Sequence, residues 1–332
     1  MERRFYWFIT VIAAIGVVAA LAGIAQQVSI VDAVAGRQVN KLVHALPGQT
    51  SWATLRYATA IAAPIGIYLW RRKLAPGNLA LFNVALLVVN IALASRISLI
   101  VAILVYAMLQ YRALGKVRIK IWALVAGAAV IFMSLTAFTY VRSANYYEEN
   151  GVSSPIAMNF YQIASYLGAP AQVSVGVSNL IADGSFRVTG DPVSSLGAIT
   201  PTFLADKDLN QPSSVSERYN NRVSIADNLS TNSAFADTYA AFGGWGLFYT
   251  LVPLGIGAFG FGVFARYRSV VVSFSAVLLY GFFEYWRIFM FNKGFLLFLL
   301  FAIGAAVVFS FALPRLANRF RKLRYRRTVL ER

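Results

Sequence analysis

The stretch FYWFITVIAAIGVVAALAGIA, residues 5–25, decides how this chain is read. It is a run of about 20 apolar residues, the length that crosses a bilayer as one helix. Glu2-Arg3-Arg4 precede it and Leu21-Ala22-Gly23-Ile24-Ala25 close it, so it also resembles a secretory leader. The apolar run exceeds a typical leader core, which favours an uncleaved helix. Seven further stretches look alike: roughly 52–70, 78–94, 98–114, 120–141, 240–264, 269–290 and 295–314. A hydrophobic fraction of 58% and a mean hydropathy of +0.63 point the same way. The expected fold class is therefore all-α: a polytopic membrane protein of about eight spans.

Charge orients that arrangement. With the N-terminus inside, the inner segments are Arg3-Arg4, Arg71-Arg72-Lys73, the 112–120 turn, Arg266 with Arg268, and a tail from Arg315 to Arg332. These hold about 19 of the 30 basic residues and, of the 13 acids, Glu2 and Glu331. The net charge of +17 then reads as a positive-inside signal rather than a nucleic-acid footprint. A basic tail can also meet anionic headgroups. The expected arrangement is multi-pass, with both termini cytoplasmic and the large loop on the far side.

Four regions follow: a five-helix membrane region over 1–141, a large outer loop over 142–237, a three-helix region over 238–314, and a basic tail over 315–332. The loop is too long for an ordinary connection. Within it, Phe160, Tyr161, Ile163, Tyr166 and Leu167 fall at helical spacing and predict a surface-lying amphipathic helix near 156–177. No internal repeat stands out.

Known site signatures are absent. The sequence holds no cysteine, one histidine (His44), no HExxH and no phosphate-loop motif, so neither a metal nor a cofactor is expected. Candidate chemistry falls on Arg, Asp, Glu, Tyr and His44. Arg96, between two spans, reads as a phosphate clamp or as a snorkelling interfacial arginine. Glu284 and Arg287, inside an apolar span, read as a functional pair or as an i,i+3 ion pair in an aromatic belt. Arg142, Arg187, Arg218 and Arg222 lie in the outer loop; Arg218 and Arg222 would share a helix face toward a pyrophosphate, or balance the loop's acids. Asp237 reads as a general base or as a helix-start acid.

Three segments resemble the O-antigen polymerase family. They are Ala94-Ser95-Arg96-Ile97-Ser98-Leu99-Ile100, then Tyr161 through Tyr166-Leu167-Gly168-Ala169-Pro170, then Ser230-Thr231-Asn232 through Asp237-Thr238-Tyr239-Ala240-Ala241-Phe242-Gly243-Gly244-Trp245-Gly246. Their order around one large loop is also similar, over about residues 50–310. Eight spans are fewer than such polymerases commonly carry. The resemblance implies a metal-independent glycosyltransferase of a bacterial inner membrane, with its active face periplasmic, that joins undecaprenyl-pyrophosphate-linked oligosaccharide repeat units. It would place Arg96, Arg218 and Arg222 on the pyrophosphate, with Arg142 and Arg287 in reserve. Asp237 or Glu284, with His44 behind them, would take the hydroxyl proton. Implied partners are the lipid-linked oligosaccharide, the bilayer and a chain-length regulator, and not nucleic acid. Rival readings are an O-antigen ligase of the same superfamily and a non-catalytic flippase.

Overall fold

The computed structural model describes residues 1–25, 52–92, 96–114, 121–188, 219, 222–223 and 232–330. Secondary structure among them is helical throughout. α1 runs over Glu2–Ala25. A 3₁₀ segment, Trp52–Ala58, leads into α2 (Thr59–Arg71), followed by α3 (Gly77–Ala92), α4 (Arg96–Leu114), α5 (Ile121–Glu149) and α6 (Pro155–Ala182). Further along come α7 (Ala234–Phe242), α8 (Gly246–Phe264), α9 (Ser273–Glu284) and α10 (Gly294–Leu330).

The all-helical expectation meets a correction in the number of spans. Among the described residues, two segments are long and apolar enough to cross a membrane: Glu2–Ala25 and Gly294–Ala312. Three of the other apolar stretches break into shorter pieces. Residues 52–70 split into the 3₁₀ turn and the 13-residue α2, about 20 Å of helix against the roughly 30 Å a crossing needs. Residues 240–264 break at Gly243, whose φ of 62° ends the nine-residue α7 before α8 begins. Residues 269–290 begin with a 3₁₀ turn, Val270–Val272, capped by the Ser269 hydroxyl. They continue as the 12-residue α9, which stops at Glu284. Hydropathy counted apolar residues and missed these breaks. The eight-span fold falls, and with it the multi-pass inner-membrane location with cytoplasmic termini and a periplasmic active face.

α1 and α10 are antiparallel. Phe8, early in α1, packs on Phe309, midway along α10, with ring centroids 4.7 Å apart and the rings tilted by 32°. The 3₁₀ segment joins them further along. Its Tyr57 meets Phe295 of α10 edge-on at 4.8 Å, and its backbone lies on Gly16 of α1. A Cβ on Gly16 would stand 1.9 Å from the backbone nitrogen of Arg56. The main core then forms where α2, α4 and α9 close on this pair, around Ile9, Ile61, Ile65, Val105, Val277 and Leu296.

α3 attaches by polar contacts. Its buried positions, Ala80, Asn83, Leu87 and Asn90, recur at helical spacing, and two are asparagines. Asn83 Nδ2 donates to Tyr6 Oη (2.9 Å) and Thr10 Oγ1 (3.0 Å) of α1 and to the carbonyl of Leu79. Asn90 Nδ2 donates to Thr59 Oγ1 of α2 and Ser98 Oγ of α4, both at 3.0 Å. In an apolar interior such bonds fix register, because a slipped helix strands the amide without partners.

One end of the bundle is basic. Arg3 Nε donates to the Leu74 carbonyl (2.7 Å), Arg71 Nη1 to Tyr106 Oη (2.6 Å) and Arg112 Nη2 to the Arg266 carbonyl (2.8 Å). Of the inner charges grouped from sequence, Arg3, Arg71, Arg112 and Arg266 therefore lie at this end.

Replacing Gly16 by leucine should drive α1 off the 3₁₀ segment and cost about 3 kcal/mol or more. Gly23→Ala, where an added Cβ meets nothing within 4 Å, should be nearly neutral. Thermal unfolding of the two variants checks the difference.

Candidate functional site

Away from the basic end, the C-terminal end of α9 carries a part-buried ion pair. Glu284, 8% exposed, accepts from Arg287 at two nitrogens, 2.8 Å from Nε and 2.6 Å from Nη2. The helix ends there, and Arg287 folds back by one turn, its backbone N–H donating to the Glu284 carbonyl. The guanidinium also lies 5.6 Å from the centre of the Tyr166 ring of α6, a cation–π distance. Tyr280, one turn before Glu284 and fully buried, sits beside that carboxylate; burial first, then the Glu284 charge, pushes its hydroxyl above the ordinary range.

An aromatic chain extends the cluster. Tyr280 meets Phe295 edge-on at 6.1 Å, and Phe295 meets Tyr57. The guanidinium of Arg56 lies 5.1 Å from the Tyr57 ring centre. Arg56 is 7% exposed, and its Nε and Nη1 have no partner among the described residues. Sequence reasoning passed over it, although a lone arginine inside the apolar run 52–70 was a visible signal.

A second cluster holds Asp237. Ser233 caps α7 through the backbone N–H of Ala236 (3.0 Å), which places Asp237 in the first turn. Its Oδ1 accepts from the buried Tyr219 hydroxyl at 2.5 Å. Burial and the Asp237 charge raise the Tyr219 hydroxyl far above its ordinary value, so it stays a donor. Tyr219 packs with Val173 and Val177 of α6, Phe186 and Ala240. Phe235 joins the two clusters, meeting Tyr285 edge-on at 5.1 Å.

Glu284 and Arg287 thus come together as anticipated by spacing. Arg222 is exposed and donates to the Ser185 carbonyl (2.8 Å), away from that pair. Asp183 beside it accepts from the Ser185 N–H. Hydrogen bonds from Ser185, then the nearby Arg222 charge, hold its carboxyl below the usual range. Arg96 begins α4 and Arg142 lies within α5, but both side chains lie outside what is described, as do His44 and Arg218 altogether. No group of three or more metal-ligating side chains occurs among the described residues.

Each acid here is already engaged. Glu284 neutralises Arg287, and Asp237 anchors Tyr219, so a proton-abstracting role would begin by breaking a buried bond. The polytopic polymerase reading, together with its ligase and flippase alternatives, falls with the eight spans that it required. No protein-family model, curated protein or solved structure matches this chain.

Glu284→Ala should leave the Arg287 charge buried without a partner and cost about 3–5 kcal/mol. The double replacement Glu284→Met, Arg287→Met should recover most of that loss. Denaturant unfolding of the single and double variants checks whether the pair is coupled.

Proposed function

We propose that this is a bilayer-contacting helical protein, anchored by the α1–α10 pair, with the shorter helices resting apolar faces against lipid. The observation that carries the reading is the outer face of α8. Phe248, Leu251, Val252, Ile256 and Phe259 recur at helical spacing, and each is 60–76% exposed. One helix therefore presents on the order of 600 Å² of apolar surface, the upper range of the largest patch on an ordinary monomer.

The anchor pair supports the same reading. The apolar windows of α1 and α10 are 39% and 33% buried, whereas the core helix of a water-surrounded bundle would be mostly buried. Trp7, Val11, Ile15 and Val18 line the outer face of α1, and Phe301, Val308 and Phe311 that of α10. Between α10, Phe8 and Phe274 runs a groove of about 840 Å³, lined by apolar residues and glycine, a shape that takes an acyl chain. Packing alone would not place two tryptophans, Trp7 and Trp70, at the basic end; an interface between lipid and water would.

Mixed with vesicles after detergent removal, the protein should float with the lipid and resist alkaline carbonate. A monodisperse, detergent-free protein that stays in the dense fraction would contradict the proposal. So would a stable dimer or larger assembly that covers the α8 face without lipid.

A further inference from the structure

We infer that the cavity at the basic end is a site for a phosphate monoester, held between Arg3 and Lys73. The cavity has a volume of about 520 Å³ and opens to the surface. Trp7, Trp70 and the buried Tyr6 line it, and Pro76 and Gly77 bring in the start of α3. Among the described residues, two cations line it and no carboxylate does.

Three features show that the cavity is built rather than incidental. First, Arg3 is positioned: its Nε is held by the Leu74 carbonyl at 2.7 Å, which orients the guanidinium fork and leaves the terminal nitrogens for a ligand. Second, Lys73 has a φ of 58°, the left-handed conformation, and it is the one non-glycine residue with positive φ among those described. This position follows the end of α2, where the Lys73 N–H reaches the Trp70 carbonyl and the Leu74 N–H the Leu69 carbonyl. Glycine is the relaxed residue for such a helix end. A lysine kept there accepts strain and places its ammonium at the cavity. Third, Trp70 lies over Gly77, where a Cβ would stand 2.8 Å from the indole nitrogen, so this wall is fixed against the N-terminus of α3. That 16-residue helix adds the positive end of its dipole to the two cations.

The ligand class follows from the donors. A guanidinium fork and an ammonium across a small cavity match the several oxygens of a terminal phosphate, and indole walls suit the carbon next to it. A phospholipid headgroup and a small phosphate ester share that chemistry. The lipid source rests on the bilayer-contact reading above; the soluble source does not.

The test uses the full chain, in neutral detergent and in nanodiscs, with indole fluorescence as the signal. Glycerol phosphate is titrated in detergent, and phosphatidic acid is compared with phosphatidylcholine in nanodiscs. The variants are Lys73→Gly, which relaxes the backbone and removes the charge, and Arg3→Gln. Trp70→Phe locates the signal. The inference expects saturable binding of one or both phosphate probes, weakened at least tenfold by Lys73→Gly while its melting temperature holds or rises. Binding of glycerol phosphate supports a soluble ester; response to phosphatidic acid alone supports the headgroup. Equal affinity in Lys73→Gly and the parent, or no response to either probe, overturns the site. Flotation on neutral lipid without any phosphate response would sink this inference and leave bilayer contact standing. Phosphate binding without flotation would do the reverse.

Discussion

The bundle depends on two buried amides. α3 has four buried positions, and Asn83 and Asn90 occupy two of them, reaching Tyr6 and Thr10 on one side and Thr59 and Ser98 on the other. Leucines there would grip several registers almost equally well. An amide in an apolar interior has one arrangement in which its hydrogens are satisfied. Through these bonds α3 sets the heights of α1, α2 and α4 together. The close seat of the 3₁₀ segment on Gly16 then fixes the remaining neighbour of α1.

That register arranges charge as well. Arg3, Arg71, Arg72, Lys73, Arg112 and Arg266 collect at one end because α1, α2, α3, α4 and α8 begin or finish there. Several of them are tied to nearby carbonyls or tyrosines. Glu284 and Arg287 lie elsewhere, at the end of α9, as a closed pair. Arg3 and Lys73 line an open cavity, whereas the cation at the end of α9 is neutralised by its acid. The contrast separates a ligand-facing cluster from a structural one more clearly than burial does.

Part of this was legible in the sequence. Hydropathy located the apolar segments, and the grouping of Arg71-Arg72-Lys73 with Arg3 and Arg266 anticipated the basic end. The i,i+3 spacing anticipated the Glu284–Arg287 contact. Span number was not legible, because a window average cannot see that Gly243 turns left-handed or that Ser269 caps a 3₁₀ turn. Nor were the tyrosines: Tyr219 meets Asp237 and Tyr166 meets Arg287 only through tertiary packing. Lys73 in a left-handed turn carried no sequence signal, since glycine or asparagine is what marks such a position.

The central claim is that the side of this bundle meets lipid while its basic end meets water, and a chain without cysteine lends itself to one direct measurement of it. Single cysteines at Ile256 on the α8 face and at Arg268 near the basic end would each carry a spin label in vesicle-bound protein. Collision rates with oxygen, which enriches in hydrocarbon, and with a water-soluble nickel chelate would then be compared. The account predicts oxygen-dominated collisions at Ile256 and chelate-dominated collisions at Arg268. Equal access of the chelate to both positions would contradict it.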